Sequence, residues 1–159
     1  MKFLRVDNEQ FFFELTEAEK ELLTLVLRLY PVIPPAHHRL SKNAEKPDPA
    51  HQQLLNEALA EQRRENKKLV ETFLADPKRF IETSDSFRLN LSAAEIEWLL
   101  QVLNDVRVGN WILLGSPEEE LPVVAPEDAN APHAWAMELA GFFQSGFLRA
   151  FRGIPQADD

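Results

Sequence analysis

A short polar run in the second half of the sequence is the best candidate for a chemically active site. Asn104, Asp105 and Arg107 interrupt a helical pattern of apolar residues that should face the core. The apolar positions are Leu99, Val102, Leu103, Val106 and Leu113. Because buried polar groups need partners, the three side chains either form an ion-pair network that holds long loops to this helix, or line a polar pocket. In a network, which is the commoner outcome, Arg107→Ala should destabilise the fold by about 2–4 kcal/mol.

The histidines and one acidic run give no pattern typical of a metal site. His37 and His38 are adjacent in a Pro-rich stretch, and His51 and His133 lie near the starts of predicted helices, without the spacing of a pair such as H-E-x-x-H. The acidic run at 118–120 (EEE) could bind a divalent cation, but a charged loop beside prolines is more often solvated. We therefore expect no metal and no cofactor.

Nucleophilic chemistry has no support in the residue types or their spacing. The chain has no cysteine, which excludes a disulfide framework, a thiolate nucleophile and a zinc–thiolate site. No serine lies in a G-x-S-x-G or S-x-x-K pattern. A non-catalytic protein is therefore favoured over an enzyme.

One basic stretch, EQRRENKK at 61–68, could contact phosphate or an acidic partner. It sets Arg63, Arg64, Lys67 and Lys68 on adjoining helical positions. Two glutamates alternate with them, which favours an ordinary solvated face with pairs between neighbouring turns. The whole chain has 17 basic and 26 acidic side chains and a net charge of -9. This charge opposes nucleic acid as a partner.

Length and composition predict one domain. The chain has 159 residues, of which 45% are hydrophobic, enough for one core. We expect a single domain at 1–155 and a frayed tail at 156–159. The apolar run at 3–4 is too short for a secretory signal, and no run approaches a membrane span. A cytoplasmic protein that does not bind membranes is expected.

The apolar periodicity and the turn residues predict a mainly α (α+β) fold with a small antiparallel sheet. Strands at 2–6 and 11–15 flank a turn at 7–10, and strict alternation predicts a further strand at 87–91. Thr16 with Glu19 and Ser92 with Glu95 have capping-box spacing. The four principal helices are predicted to run from the Thr16 cap to Tyr30, from Pro49 to about Ala75, from Ala93 to Leu114 and from Pro132 to Phe151.

The chain contains a candidate internal repeat. Residues 11–27 and 87–103 match at eight of 17 positions without a gap, at an offset of 76. Each copy is a strand, a hydroxyl cap and an apolar helix, followed by a Pro-rich connection and a second helix. Convergence on the same local rules would give the same pattern. We predict a pseudo-two-fold arrangement in which both strands belong to one sheet.

The last helix has more apolar surface than one core contact needs. At about 100° per residue, its aromatic residues spread over about half the circumference. They are Trp135, Phe142, Phe143, Phe147 and Phe151. Glu138, Ser145 and Arg149 form the clear polar strip. The protein's own loops could cover the excess, but we predict that this helix forms an interface with a protein partner, which could be a second copy in a homodimer.

The third helix carries a resemblance to a known family. The stretch at 98–115 (WLLQVLNDVRVGNWILLG) resembles the signature helix of the bacterial domain-of-unknown-function family numbered two thousand and seventeen. The stretch at 27–31 (LRLYP), the acidic segment after Gly115, and Trp135 and Leu139 in the last helix fit the same order, although the linker after the first helix and the stretch at 141–143 (GFF) depart from it. The resemblance implies a small, mostly helical bacterial protein without established catalytic residues. It also implies a role near Clp-dependent proteolysis, because members are often encoded beside the Clp adaptor.

Two functional hypotheses follow from these patterns. The first is a non-catalytic protein-interaction or regulatory domain, since no reaction constellation is visible. The alternative is a small enzyme with a polar site around Asn104, Asp105 and Arg107. A pocket at Arg107 would favour the enzyme, and a flat apolar surface with no pocket would favour the interaction domain.

Overall fold

A computed structural model describes residues 1–33, 48–118 and 125–153, which form four strands and four helices. The strands are β1 (Lys2–Asp7), β2 (Gln10–Leu15), β3 (Phe80–Glu82) and β4 (Phe87–Ser92). The helices are α1 (Glu17–Arg28), α2 (Pro49–Ala75), α3 (Ala93–Leu113) and α4 (Ala131–Phe151). This architecture confirms the predicted mainly α (α+β) fold with a small antiparallel sheet. The tail at 156–159 lies outside the described residues.

The first two strands form the predicted hairpin with a tighter turn than expected. Asp7 pairs with Gln10, which leaves Asn8 and Glu9 as a two-residue loop with φ angles of 48° and 61°. Positive φ at both positions is typical of the type I′ turn, whose twist matches that of the flanking strands. The hairpin register is therefore fixed by the turn itself.

Both predicted capping boxes form. The Thr16 hydroxyl accepts from the Glu19 backbone N–H at 3.2 Å, and the Glu19 carboxylate accepts from the Thr16 N–H at 2.9 Å. Ser92 and Glu95 make the same pair of bonds at 3.2 and 2.8 Å. These bonds satisfy N–H groups at the starts of α1 and α3, so each helix begins directly after a central strand.

The sheet order is β1-β2-β4-β3, with every pair antiparallel. Phe13 of β2 lies opposite Leu89 of β4, and both are buried with Leu15 and Leu91 in the common core. α4 reaches this core through Phe147, whose ring meets Phe13 edge-on at 5.2 Å. The intervening side chains of β2 and β4 point away from the helices, as in sheets with one solvated face.

The two edge strands are irregular. The ladder between β1 and β2 has a bulge between Phe3 and Arg5. β3 has three residues and pairs only with β4. β3 was not predicted, because three residues, of which Ile81 is exposed, are too few to show an alternating pattern.

α3 is the helix around which the other helices are arranged. It packs along α4 and also contacts α1 and β4. Its fully buried residues are Ile96, Leu99, Val102, Leu103 and Val106. α2 is buried only between Asn66 and Phe73, where the Phe73 ring meets Trp98 of α3 edge-on at 5.6 Å. Among the described helices, none combines the length and apolar character needed to cross a membrane.

The internal repeat is not confirmed by the packing of the helices. β2 and β4 are neighbours, and Phe13 pairs with Leu89, the residue that the offset of 76 equates with it. Each half also runs hairpin, helix, connection, helix. However, α1 has 12 residues and α3 has 21, and α4 packs along α3 whereas α2 meets α1 at few points. The two halves therefore share the order of their elements, but their helices pack differently.

One position on α3 is contacted by backbone that follows α1. This segment includes the cis peptide bond between Tyr30 and Pro31 and then brings Val32 against Gly109. A Cβ atom on Gly109 would lie 2.6 Å from the Val32 Cβ and 2.9 Å from the Ile33 backbone nitrogen. A side chain of any size would therefore push this segment away from α3.

Gly109→Ala should lower the free energy of unfolding by about 1–3 kcal/mol because of this overpacking. The control is Gly141→Ala in α4, where a Cβ would meet only the Arg107 Cδ, at an ordinary 3.7 Å. That control should gain about 0.5–1 kcal/mol from helix propensity. Urea unfolding measures both, and equal stability of the two variants would contradict the close approach at Gly109.

Candidate functional site

The structure does not bring the three polar residues of the predicted cluster to one site: Asn104 and Asp105 line one pocket and Arg107 lines another. Asp105 is buried, with 8% of its surface exposed, whereas Asn104 and Arg107 are exposed. Since successive helical residues are about 100° apart, Arg107 lies about 200° around α3 from Asp105. The prediction of a single network or pocket containing all three was therefore wrong. Asp105 and Arg107 belong to two different sites.

Asp105 binds the backbone that follows α1. Its Oδ1 accepts hydrogen bonds from the N–H groups of Val32 at 2.6 Å and Ile33 at 3.2 Å. A carboxylate that accepts from two backbone N–H groups satisfies donors that no helix or strand provides for. Asp105 thus fixes the exit of the chain from α1 onto α3, beside the close contact at Gly109.

Side chains from α2 and the end of α1 complete this site, which we name the anchor pocket. Arg63 donates to the Ile33 carbonyl, and its Nη2 lies 4.0 Å from Asp105 Oδ2. The anchor pocket has a volume of about 240 Å³ and is also lined by Tyr30 and Asn66. Burial raises the pKa of the Tyr30 phenol, and a hydrogen bond with Asn66 offsets part of that rise. The charged groups of the anchor pocket, Asp105 and Arg63, bond to the backbone of residues 32–33 of the same chain. Their role there is structural.

A second polar contact joins α3 to the start of α4. The buried Asn110 donates to the Val106 carbonyl at 2.7 Å, and its side-chain oxygen lies 2.9 Å from Nδ1 of His133. His133 is therefore engaged with α3. His51 lies on the surface, 3.8 Å from the Asp48 carboxylate.

Metal-binding clusters are absent from the described part of the chain: no group of three or more potential ligands comes together there. Two of the four histidines, His37 and His38, and two residues of the acidic run, Glu119 and Glu120, lie outside the described residues.

The basic stretch of α2 divides between the anchor pocket and the surface. Arg63 turns into the anchor pocket, while Arg64 pairs with Glu61 on the surface and Lys67 and Lys68 are exposed.

The aromatic residues of α4 divide between core and surface. Phe143 and Phe147 are completely buried, so their assignment to an interface was wrong. The reason is that the sheet and α3 cover the side of α4 that carries them. Trp135 and Phe142 remain exposed, at 62% and 49% of their surface. Phe151 is 41% exposed and stacks on Phe11 with ring centroids 5.9 Å apart.

A groove of about 450 Å³ runs between α3 and the exposed side of α4. We name it the α3–α4 groove. Its lining includes Arg107 from α3 and, from α4, Glu138, Phe142, Ser145 and Arg149. The polar strip that the sequence predicted on α4 thus forms one wall. Within the described ranges, neither arginine forms an ion pair.

Two side chains of the anchor pocket, Arg63 and Tyr30, were not predicted from the sequence. Arg63 was assigned to a solvated basic stretch, although its spacing from Asn66, Val70 and Phe73 is helical and would have placed it on the buried face. Tyr30 was assigned only to the end of a helix. No local signal shows that residues 30–33 reach Asp105, because the partners are more than 70 residues apart.

Asp105→Ala should lower the free energy of unfolding by about 2–4 kcal/mol, since two N–H groups lose their acceptor and Arg63 loses its carboxylate. Arg107→Ala, which the network interpretation expected to be equally costly, should change it by less than about 0.5 kcal/mol because the side chain is exposed. Urea unfolding of both variants tests this assignment. Similar losses in the two variants would restore the single network.

Tyr30 is the only tyrosine in the chain, so its ionisation can be followed alone by ultraviolet absorbance. We expect its pKa in the folded protein to lie above the ordinary value of 10.0. The raised pKa adds stability below pH ~10 that is lost as the pH rises through the folded-state pKa. In urea the midpoint should return to about 10. A midpoint at or below 10.0, with the circular dichroism of the folded protein unchanged, would show that Tyr30 is not buried in this way.

Comparison with known proteins adds no function to this geometry. No family model, curated protein or solved structure matches the chain. The third helix resembles the signature helix of a known family, but membership of that family stays a prediction. The role near Clp-dependent proteolysis that the resemblance implies also stays a prediction.

Proposed function

We propose that the protein is a non-catalytic protein-interaction domain whose binding surface is the α3–α4 groove together with the exposed side of α4. The observation that carries this proposal is the exposure of Trp135 and Phe142. They are seven residues apart, so they lie two turns apart on the same side of the helix. Large aromatic side chains exposed on the same side of a surface helix are a mark of interaction sites.

The rigidity of this surface supports the same function. The back of α4 carries Phe143 and Phe147, both fully buried in the core. The side chains that face outward therefore stand on a helix that is already fixed, and binding need not order it. A surface ordered in advance loses less conformational entropy on association than a flexible segment.

The alternative is a small enzyme around Asn104, Asp105 and Arg107, and the groove at Arg107 is the feature that favours it. The three residues nevertheless do not form one site, because Asn104 and Asp105 line the anchor pocket. Asp105 accepts from the backbone of the segment after α1, whereas Arg107 lines the α3–α4 groove on another side of the same helix. A reacting group could not contact both. The positions argue for one structural side chain and one surface side chain.

A matched pair of variants tests the proposed function. Trp135→Ser with Phe142→Ser should lose, by more than tenfold, a partner that the wild-type protein retains from a lysate of its source cells. Leu25→Ser with Leu54→Ser removes two exposed apolar side chains from α1 and α2 and should retain it. All three proteins should give the same circular dichroism. Recovery of the same proteins by the wild type and the α4 variant would refute the assignment of the surface.

A further inference from the structure

Resting on that proposed function, we propose that the α3–α4 groove binds an acidic, amphipathic segment of a partner protein. Carboxylates of the segment pair with Arg107 and Arg149, and its apolar side chains cover Phe142. The juxtaposition that carries this inference is two guanidinium groups and one exposed aromatic ring in the same groove.

The charge distribution of the chain makes the two arginines unusual. Residues 81–159 contain 13 acidic and four basic side chains, the latter being Arg88, Arg107, Arg149 and Arg152. Two of these four line the α3–α4 groove, where Glu138 is the one acidic side chain of the lining. No ion pair holds either arginine within the described ranges. Guanidinium groups that form no ion pair with the described part of the chain are available to carboxylates from outside.

The dimensions suit a segment of peptide. Glu138, Phe142, Ser145 and Arg149 follow one another at spacings of four, three and four along α4, so they form a continuous strip. The twelve residues from Glu138 to Arg149 are joined by eleven helical steps, which cover about 16 Å of helix. That length equals three turns of a docked helix or about five residues of extended chain. Gly141 keeps the strip open beside Arg107, since its nearest neighbour is the Arg107 stem.

A second copy of the same chain fits the α3–α4 groove poorly. A symmetric dimer through this face would bring together four guanidinium groups, from Arg107 and Arg149 of both copies, and two carboxylates from Glu138. This excess positive charge within the interface opposes a homodimer through the α3–α4 groove.

The overall negative charge does not prevent an acidic segment from binding at close range. At physiological ionic strength, charges more than about 8 Å apart are largely screened. The unscreened charges nearest to a segment inside the α3–α4 groove are therefore two guanidinium groups and one carboxylate, that of Glu138, so the local charge is positive. Binding should weaken as salt is added, because the attractive pairs are themselves exposed.

Selection from a random peptide library displayed on phage tests the proposal without a known partner. Peptides selected on the immobilised wild-type protein should be enriched in Asp and Glu next to apolar residues. The same selection on the Arg107→Gln, Arg149→Gln double variant should lose the acidic enrichment. The charge-matched control is Arg5→Gln with Arg88→Gln, on the face of the sheet that points away from the helices, and it should keep the enrichment.

Fluorescence anisotropy with one selected peptide then gives the size of the effect. We expect at least tenfold weaker binding to Arg107→Gln, Arg149→Gln, a similar loss when the Glu residues of the peptide are replaced by Gln, and a change within twofold for the control. Tight binding that is unaffected by loss of the two arginines would overturn the acidic partner and leave the interaction surface in place. Peptides that bind the Trp135→Ser, Phe142→Ser variant as well as the wild type, or a library that gives no binder, would count against the proposed function itself.

Light scattering after size exclusion tests the remaining alternative, a homodimer through the α3–α4 groove. The wild-type protein without peptide should behave as a single species of 18.2 kDa. A dimer that dissociates in the Trp135→Ser, Phe142→Ser variant would show that a second copy occupies the groove, and it would overturn the acidic partner.

Discussion

The contact between the Asp105 carboxylate and the backbone N–H groups of Val32 and Ile33 determines how the helices are arranged. These N–H groups belong to no helix or strand, so they need an acceptor once the segment is covered. Asp105 supplies it from the central helix, Gly109 lets the segment approach, and Arg63 closes over it from α2. α1, α2 and α3 are thereby joined at one point, which matters because α2 has few buried residues of its own.

α4 has two functions in the fold because its two sides differ in what covers them. Phe143 and Phe147 lie against the sheet and α3, where they contribute to the core. Trp135 and Phe142 have no such cover in the described chain and form the exposed surface. The position of the surface is therefore set by the same packing that stabilises the fold.

Local patterns in the sequence were sufficient to predict most of the fold. The two capping boxes, the hairpin and the bounds of α2 and α4 depend on residues a few positions apart, and each was predicted within a few residues. The sites depend on which segments lie opposite each helix, and the apolar periodicity of the sequence holds no information about that. Periodicity identified a mixed polar and apolar face around Asp105 and Arg107. Only the neighbouring segments decide that Asp105 is buried and Arg107 exposed. Similarly, the aromatic arc of α4 was visible, whereas the division between Phe142 and Phe143 required the sheet to be in place.

The irregular edges of the sheet have a consequence for how copies of the protein behave in concentrated solution. Long, flat edge strands present free N–H and C=O groups on which another chain can pair, and this is a route to aggregation. Here β1 is interrupted by a bulge and β3 is only three residues long. Both edge strands of the sheet are thus poor templates for the addition of another strand. The folded domain can expose apolar side chains on a helix while its hydrogen-bonding edges resist the growth of fibrils.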